Sequence, residues 1–169
     1  GLANVDALSL GDNHTCVIAG GALSCFGDNG SGKLGDAAAM GGPTPVPLNN
    51  GIAGTINGVA QSASHTCVID SATNVQCWGA DNRGTLGRGT GMENFSDPAG
   101  ATVKLRSDTA TALANVDEIA SRGNTVYARQ GGSVFAWGNT CPNILGASDV
   151  TFCNNAAASS VRPASFGGT

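Results

Sequence analysis

Residues Ser62 to Gly87 read SASHTCVIDSATNVQCWGADNRGTLG, and this stretch decides the fold because the chain contains it about three times. An earlier copy, GDNHTCVIAGGALSCFGDNGSGKLG, runs from Gly11 to Gly35, and a more divergent one, SRGNTVYARQGGSVFAWGNTCPNILG, from Ser121 to Gly146. Repeats of this length mean a solenoid, a propeller or an array, in which each unit buries its apolar face against a neighbour. Within each copy a strand is expected over His14 to Ile18, His65 to Ile69 and Asn124 to Ala128. A short Gly- or Asn-bearing turn follows, and a return strand ends on Cys25-Phe26-Gly27, Cys77-Trp78-Gly79 or Ala136-Trp137-Gly138.

Working outward, six residues separate the aromatic-glycine pair from Leu34-Gly35, Leu86-Gly87 and Leu145-Gly146. That constant count predicts a loop of fixed geometry. Variable segments follow at Asp36 to Gly42, Arg88 to Asp97 and Ala147 to Ser160, and then proline-led strands at Pro45 to Leu48, Pro98 to Leu105 and Pro163 to Phe166. Leu2-Ala3-Asn4-Val5-Asp6 and Leu113-Ala114-Asn115-Val116-Asp117 mark the lead-in to the first and third copies. Four short strands per ~50 residues is the arithmetic of a propeller blade. The expected organisation is a single all-β domain over 1–169, with repeats at 1–54, 55–112 and 113–169.

Six cysteines speak to compartment. Cys16 and Cys25 occupy the same places as Cys67 and Cys77, while the third copy reads Val126 and Ala136 there, so both members are lost together. Joint presence and joint absence is what a covalent pair predicts, and opposed residues of a hairpin lie close to disulfide distance. Cys141 and Cys153 remain and pair by elimination. No C-x-x-C occurs, and spacings of nine or ten residues between cysteines do not fit zinc. Disulfides place the chain in an oxidising compartment, extracellular or at a cell surface.

Composition narrows the partners. The chain has 41% hydrophobic and 12% charged residues, 26 glycines and a net charge of −4. With two lysines and scattered arginines, no basic cluster exists to displace phosphate counterions, so no nucleic acid is expected. No apolar run approaches the ~18 residues that span a membrane.

Each candidate site has a plainer structural role. His14 and His65 stand at equivalent places about 10 Å apart on packed sheets, too far for one metal. A structural role is expected, with each ring bonded to a neighbouring backbone carbonyl. Phe26, Trp78 and Trp137 read as packing between blades. Asp28-Asn29-Gly30-Ser31-Gly32 lacks the alternate oxygens and closing Glu of a calcium loop. No catalytic constellation recurs, and no metal, cofactor or enzymatic activity is expected. Binding remains, carried by the variable loops: Asp36 to Met40; Met92, Glu93, Asn94 and Phe95; Asp149 to Phe152. Apolar residues there without repeat equivalents, such as Met92, Phe95 and Phe152, are possible anchors.

The pieces V-x-x-[IL]-[AS]-x-G-x-x-H-T-C-x-[IL], [WF]-G-x-N-x-x-G-x-L-G and P-x-x-V occur together over Val5 to Ile18, Phe26 to Gly35 and Pro43 to Val46, and again from Val59 onward. In this combination the chain resembles the regulator-of-chromosome-condensation repeat in its cysteine-bearing bacterial extracellular version. The third copy keeps Trp137-Gly138 and Leu145-Gly146 but departs at the His and both cysteines. The resemblance implies a β-propeller of about seven blades in a full ring, so three repeats amount to a partial propeller, or to one completed by a homo-oligomer or by further sequence. Loops on such a rigid scaffold suit several roles. A surface-binding module, such as an adhesin or fibre component recognising a protein or glycan on another surface, is the leading expectation. A secreted inhibitor or regulator of an enzyme, and a unit polymerising through open blades, are the alternatives; nucleotide exchange, the role of the eukaryotic namesake, suits neither the disulfides nor the loops.

Overall fold

The structure, a computed structural model, describes residues 2–82, 84–88, 96–104, 111–138 and 162–163. The described chain forms three antiparallel four-stranded sheets. The first holds β1 (Val5–Leu10), β2 (His14–Ala19), β3 (Ala22–Gly27) and β4 (Gly42–Pro47). The second holds β5 (Ile56–Gln61), β6 (His65–Asp70), β7 (Val75–Ala80) and β8 (Ser96–Thr102), and the third β9 (Glu118–Arg122), β10 (Thr125–Gln130), β11 (Ser133–Gly138) and β12 (Arg162–Pro163). Every sheet is an up-and-down meander in sequence order, and among the described residues the one helical element is a 3-10 turn at Gly30–Gly32.

Turn chemistry sets each register. Gly20 and Gly21, both at positive φ, close the β2–β3 hairpin in two residues, which leaves Ala19 opposite Ala22 and Cys16 opposite Cys25. In the second sheet the Asp70 carboxylate accepts from the Ala72 and Asn74 amides, organising a longer turn that still brings Cys67 opposite Cys77. Disulfides join Cys16 to Cys25 and Cys67 to Cys77. Cys141 and Cys153 lie outside the described residues.

The third sheet corrects the sequence alignment by one residue. The Gly131-Gly132 turn pairs Gln130 with Ser133, and counting back along the ladder places Tyr127, not Val126, opposite Ala136. Thr125, not Asn124, therefore stands where His14 and His65 stand. A slip of one residue exchanges the two faces of a strand. Val126 and Ala128 accordingly share the face of Trp137, and all three are buried. The proline-led strands also start earlier than expected: β4 begins at Gly42 and β8 at Ser96, with prolines inside β4 that an edge strand tolerates.

Each sheet presents two faces, and the core lies between successive sheets. The trailing face of blade 1 offers Cys16, Ile18, Leu23 and Cys25, and these pack with Ile56, Val68 and Trp78 from the leading face of blade 2. The next seam repeats this with Cys67, Ile69, Val75 and Cys77 against Val116, Val126, Ala128 and Trp137. The first strands lie beside one another, β1 by β5 and β5 by β9, so the sheets converge along that edge. The buried stack is built from one unit docking on the previous one, the arrangement that makes such arrays nearly additive in stability.

Candidate functional site

Two regions hold the polar side chains on which a role could rest: the seams between blades, and the connections from third to fourth strands. In the seams, aromatic packing carries a polar pin. Trp78 and Trp137 are fully buried, and each indole N–H donates to a carbonyl on the preceding blade's loop, Lys33 at 3.0 Å and Thr85 at 2.9 Å. Leu34 and Leu86, next in sequence, are likewise fully buried. Gly35 and Gly87 have positive φ, and a methyl added to either would press on the indole of the following blade. The fixed length of this loop thus places a carbonyl, a leucine and a bare glycine against one tryptophan. Phe26 stands at the corresponding place of blade 1 and stays half-buried, since no described sheet precedes it.

The histidines take part in the same seams, with hydroxyl partners where carbonyls were expected. Thr66 donates its hydroxyl hydrogen to the Lys33 carbonyl at 2.8 Å, so it accepts from His14 Nε2–H at 2.9 Å. Ser121 donates to the Thr125 carbonyl and accepts from His65 Nε2–H at 3.2 Å, while Ser62 serves His65 Nδ1 at 2.8 Å. The seam-facing carbonyls are already taken by the indoles and hydroxyls, which leaves the hydroxyl oxygens as acceptors for the rings. Both rings are held neutral. Burial first, and then the nearby Lys33 ammonium, lowers His14 to about 4; burial, aided by His14, lowers His65 to about 3. No group of three His, Cys, Asp or Glu side chains that could hold a metal ion occurs among the described residues.

Asp28 is committed in the same way. Its carboxylate pairs with Lys33 Nζ at 2.6 Å and accepts from the Gly30 amide, and both interactions hold its pKa below the usual range. Lys33, itself buried, also donates to the Ala63 carbonyl at 2.9 Å and so ties the loop of blade 1 to blade 2. The loop Asp28 to Gly32 is therefore closed by its own lysine and amides, a use of its oxygens that sequence spacing did not show.

The connection from β3 to β4 is the described variable loop, and it is braced from within. Asn29 donates to the Asp36 and Ala39 carbonyls, at 2.9 and 2.7 Å, while its own oxygen accepts from the Leu34 amide. Asp36 accepts from the Ala38 amide. On this frame Met40 is 90% exposed. In blade 2 the residue matching Asn29 is Asp81, whose oxygen accepts from the Leu86 amide at 3.1 Å. In each sheet a connection of this type joins the third strand to the fourth. Met92, Glu93, Asn94 and Phe95 fall between β7 and β8 in sequence, and Asp149 and Phe152 between β11 and β12; all six lie outside the described residues.

No protein-family model matches the chain. Solved structures with the same fold include human WBSCR16, at TM-score 0.74 and 21% identity, covering 97% of this chain and 40% of that one. Prp20p from Saccharomyces cerevisiae aligns at TM-score 0.71 and 14% identity, covering 98% and 39%. Yeast RCC1 (Prp20) with bound Kap60 aligns at TM-score 0.67 and 15% identity, covering 98% and 38%. The chain spans about 40% of the length of the proteins it matches. It has the fold of regulator-of-chromosome-condensation-type propeller blades, in part of a propeller, as the sequence pattern implies.

Proposed function

We propose that the chain is a non-catalytic binding module of an extracellular or cell-surface protein, an adhesin or surface-fibre component, in which rigid blades carry recognition loops on one side. The observation that carries the reading is the braced loop from Asp28 to Gly41, which spends its polar groups on its own frame and leaves Met40 in solvent. An exposed, flexible thioether on a fixed loop suits contact with another surface better than packing. Met92, Glu93, Asn94, Phe95, Asp149 and Phe152 belong by sequence to the equivalent connections and complete the proposed surface. The partner is a protein or glycan on another surface. A protein partner has support from the fold: Prp20p was described with its binding to Gsp1p and histones, and yeast RCC1 with Kap60 bound. The two disulfides support an oxidising compartment.

Whole-cell and protein-array binding with Met40→Asp, Phe95→Ala and Phe152→Ala variants tests the loops. Loss of binding with retained thermal stability is expected. Binding that survives all three substitutions would remove the loops from the proposal.

A further inference from the structure

The two histidine seams follow one plan but differ in how many ring nitrogens the protein serves. Between blades 2 and 3 both nitrogens of His65 are met, Nδ1 by the Ser62 hydroxyl and Nε2 by Ser121. Between blades 1 and 2 Thr66 accepts from His14 Nε2–H at 2.9 Å, and among the described residues no group reaches Nδ1. The cause is one absent side chain. Gly11 stands where Ser62 stands, each with its amide on the carbonyl of the histidine three residues on. Glycine has no hydroxyl to offer, and the place does not admit serine. A Cβ on Gly11 would press on the Ser62 carbonyl oxygen and lie 2.8 Å from His14 Nδ1.

Gln61 is the second unserved group of this seam. It lies opposite Thr66 as Ser121 lies opposite Val126, so it holds the place from which Ser121 accepts from His65. In the first seam Thr66 has already taken the ring hydrogen, and the carboxamide is left over. Gln61 is 3% exposed and His14 2%, and neither Oε1 nor Nε2 of Gln61 has a hydrogen-bond partner among the described residues. Leaving such atoms unpaired in the interior is costly, and ordered water is what meets them where protein groups do not. The Lys33 ammonium, near enough to His14 to lower its pKa, disfavours a cation at this ring. A small neutral molecule that both donates and accepts fits instead.

We infer that the seam between blades 1 and 2 binds ordered water, which donates to His14 Nδ1 and is held by the side-chain amide of Gln61. This water does for His14 what the Ser62 hydroxyl does for His65. The Ser62 carbonyl lies beside Nδ1 across Gly11, close enough for a water reaching about 2.8 Å to each partner to bridge them. Nδ1, the carbonyl and the carboxamide together supply the roughly three bonds usual for buried water. Every residue of the site belongs to one internal seam, so the site does not depend on what lies beyond either end of the chain.

Water–protein Overhauser and rotating-frame spectra of the isotope-labelled whole chain test this, read at the His14 ring hydrogens and the Gln61 side-chain amide. The expected result is a cross-peak from slowly exchanging water to both groups, with the His14 Nδ1 resonance at the position of a hydrogen-bonded lone pair. Gln61→Leu, which copies the side chain blade 1 carries at this place, is expected to abolish the His14 cross-peak and move Nδ1 towards the position of a bare lone pair. The Thr66 hydroxyl is present in both proteins, so its own exchange with solvent cancels in the comparison. Three results overturn the proposal: a folded wild type with no water cross-peak at either group, a coupling across a direct bond from Gln61 Nε2–H to His14 Nδ1, or a folded Gln61→Leu variant whose His14 signals are unchanged. If Gln61→Leu does not fold, the first two readings, made on the wild type, decide. None of these readouts involves the recognition loops, so they stand or fall apart from the proposed binding role.

Discussion

Acidification should loosen the blade seams through His14 and His65, the two histidines of the chain. Each ring is neutral in the folded state, at about 4 and about 3, against an ordinary 6.5. Between those limits the unfolded chain binds two protons that the folded chain does not. Stability is thus complete above pH 6.5 and declines as pH falls towards 4, with His65 contributing to lower pH than His14. Each proton is worth about 1.4 kcal/mol per pH unit, so the pair gives a slope near 2.7 kcal/mol per unit and a loss on the order of 3–5 kcal/mol from about pH 6.5 to 4.5. Asp28, whose pKa is depressed by Lys33 and the Gly30 amide, loses its contribution only as pH falls below the ordinary carboxylate value. Urea unfolding at stepped pH reads the slope, and two-dimensional NMR of the two imidazoles reads the protonation directly. In a His14→Asn/His65→Asn variant the curve should start lower and run nearly flat over the same window. An imidazole that titrates near 6.5 while the protein remains folded would refute the reasoning, as would a slope the double variant does not change.

Other perturbations follow from the same seams. Leu86→Ala opens a cavity at a fully buried site and should cost about 2–5 kcal/mol in urea unfolding, whereas Leu10→Ala on the open edge should cost under about 1 kcal/mol. Trp137→Phe keeps most of the packing but strands the Thr85 carbonyl, and a loss of about 1–3 kcal/mol is expected by calorimetry. Replacing Cys67 and Cys77 together by alanine should cost about 2–3 kcal/mol for a bridge spanning 10 residues, while reduction of wild-type protein should lower its melting point reversibly. Asn29→Ala removes three hydrogen bonds from the β3–β4 loop, so hydrogen exchange should accelerate over Asp36 to Met40 with little change in β2 and β3.

Much of this architecture was readable in the residues because repetition compares the chain with itself. Strand-turn-strand units, buried aromatics, opposed cysteines and a constant Leu-Gly loop each recur, and each recurrence has one physical cause. The third copy misled by one residue because its tyrosine and arginine blur the apolar alternation, and the strand could slide until the Gly131-Gly132 turn pinned it. The histidine partners were illegible for another reason: Thr66 and Ser121 lie 52 and 56 residues away, and only stacking brings their hydroxyls to the rings.

The sequence by itself determined the unit, its strands and, in the first two blades, which side chains turn inward, since local turn chemistry and two-residue periodicity act within a few residues. Tertiary structure alone decided how one unit meets the next. There a loop carbonyl finds an indole, and a lysine reaches across to a neighbouring blade. These outcomes depend on burial and on distances between atoms far apart in the chain, quantities that no spacing along the chain encodes.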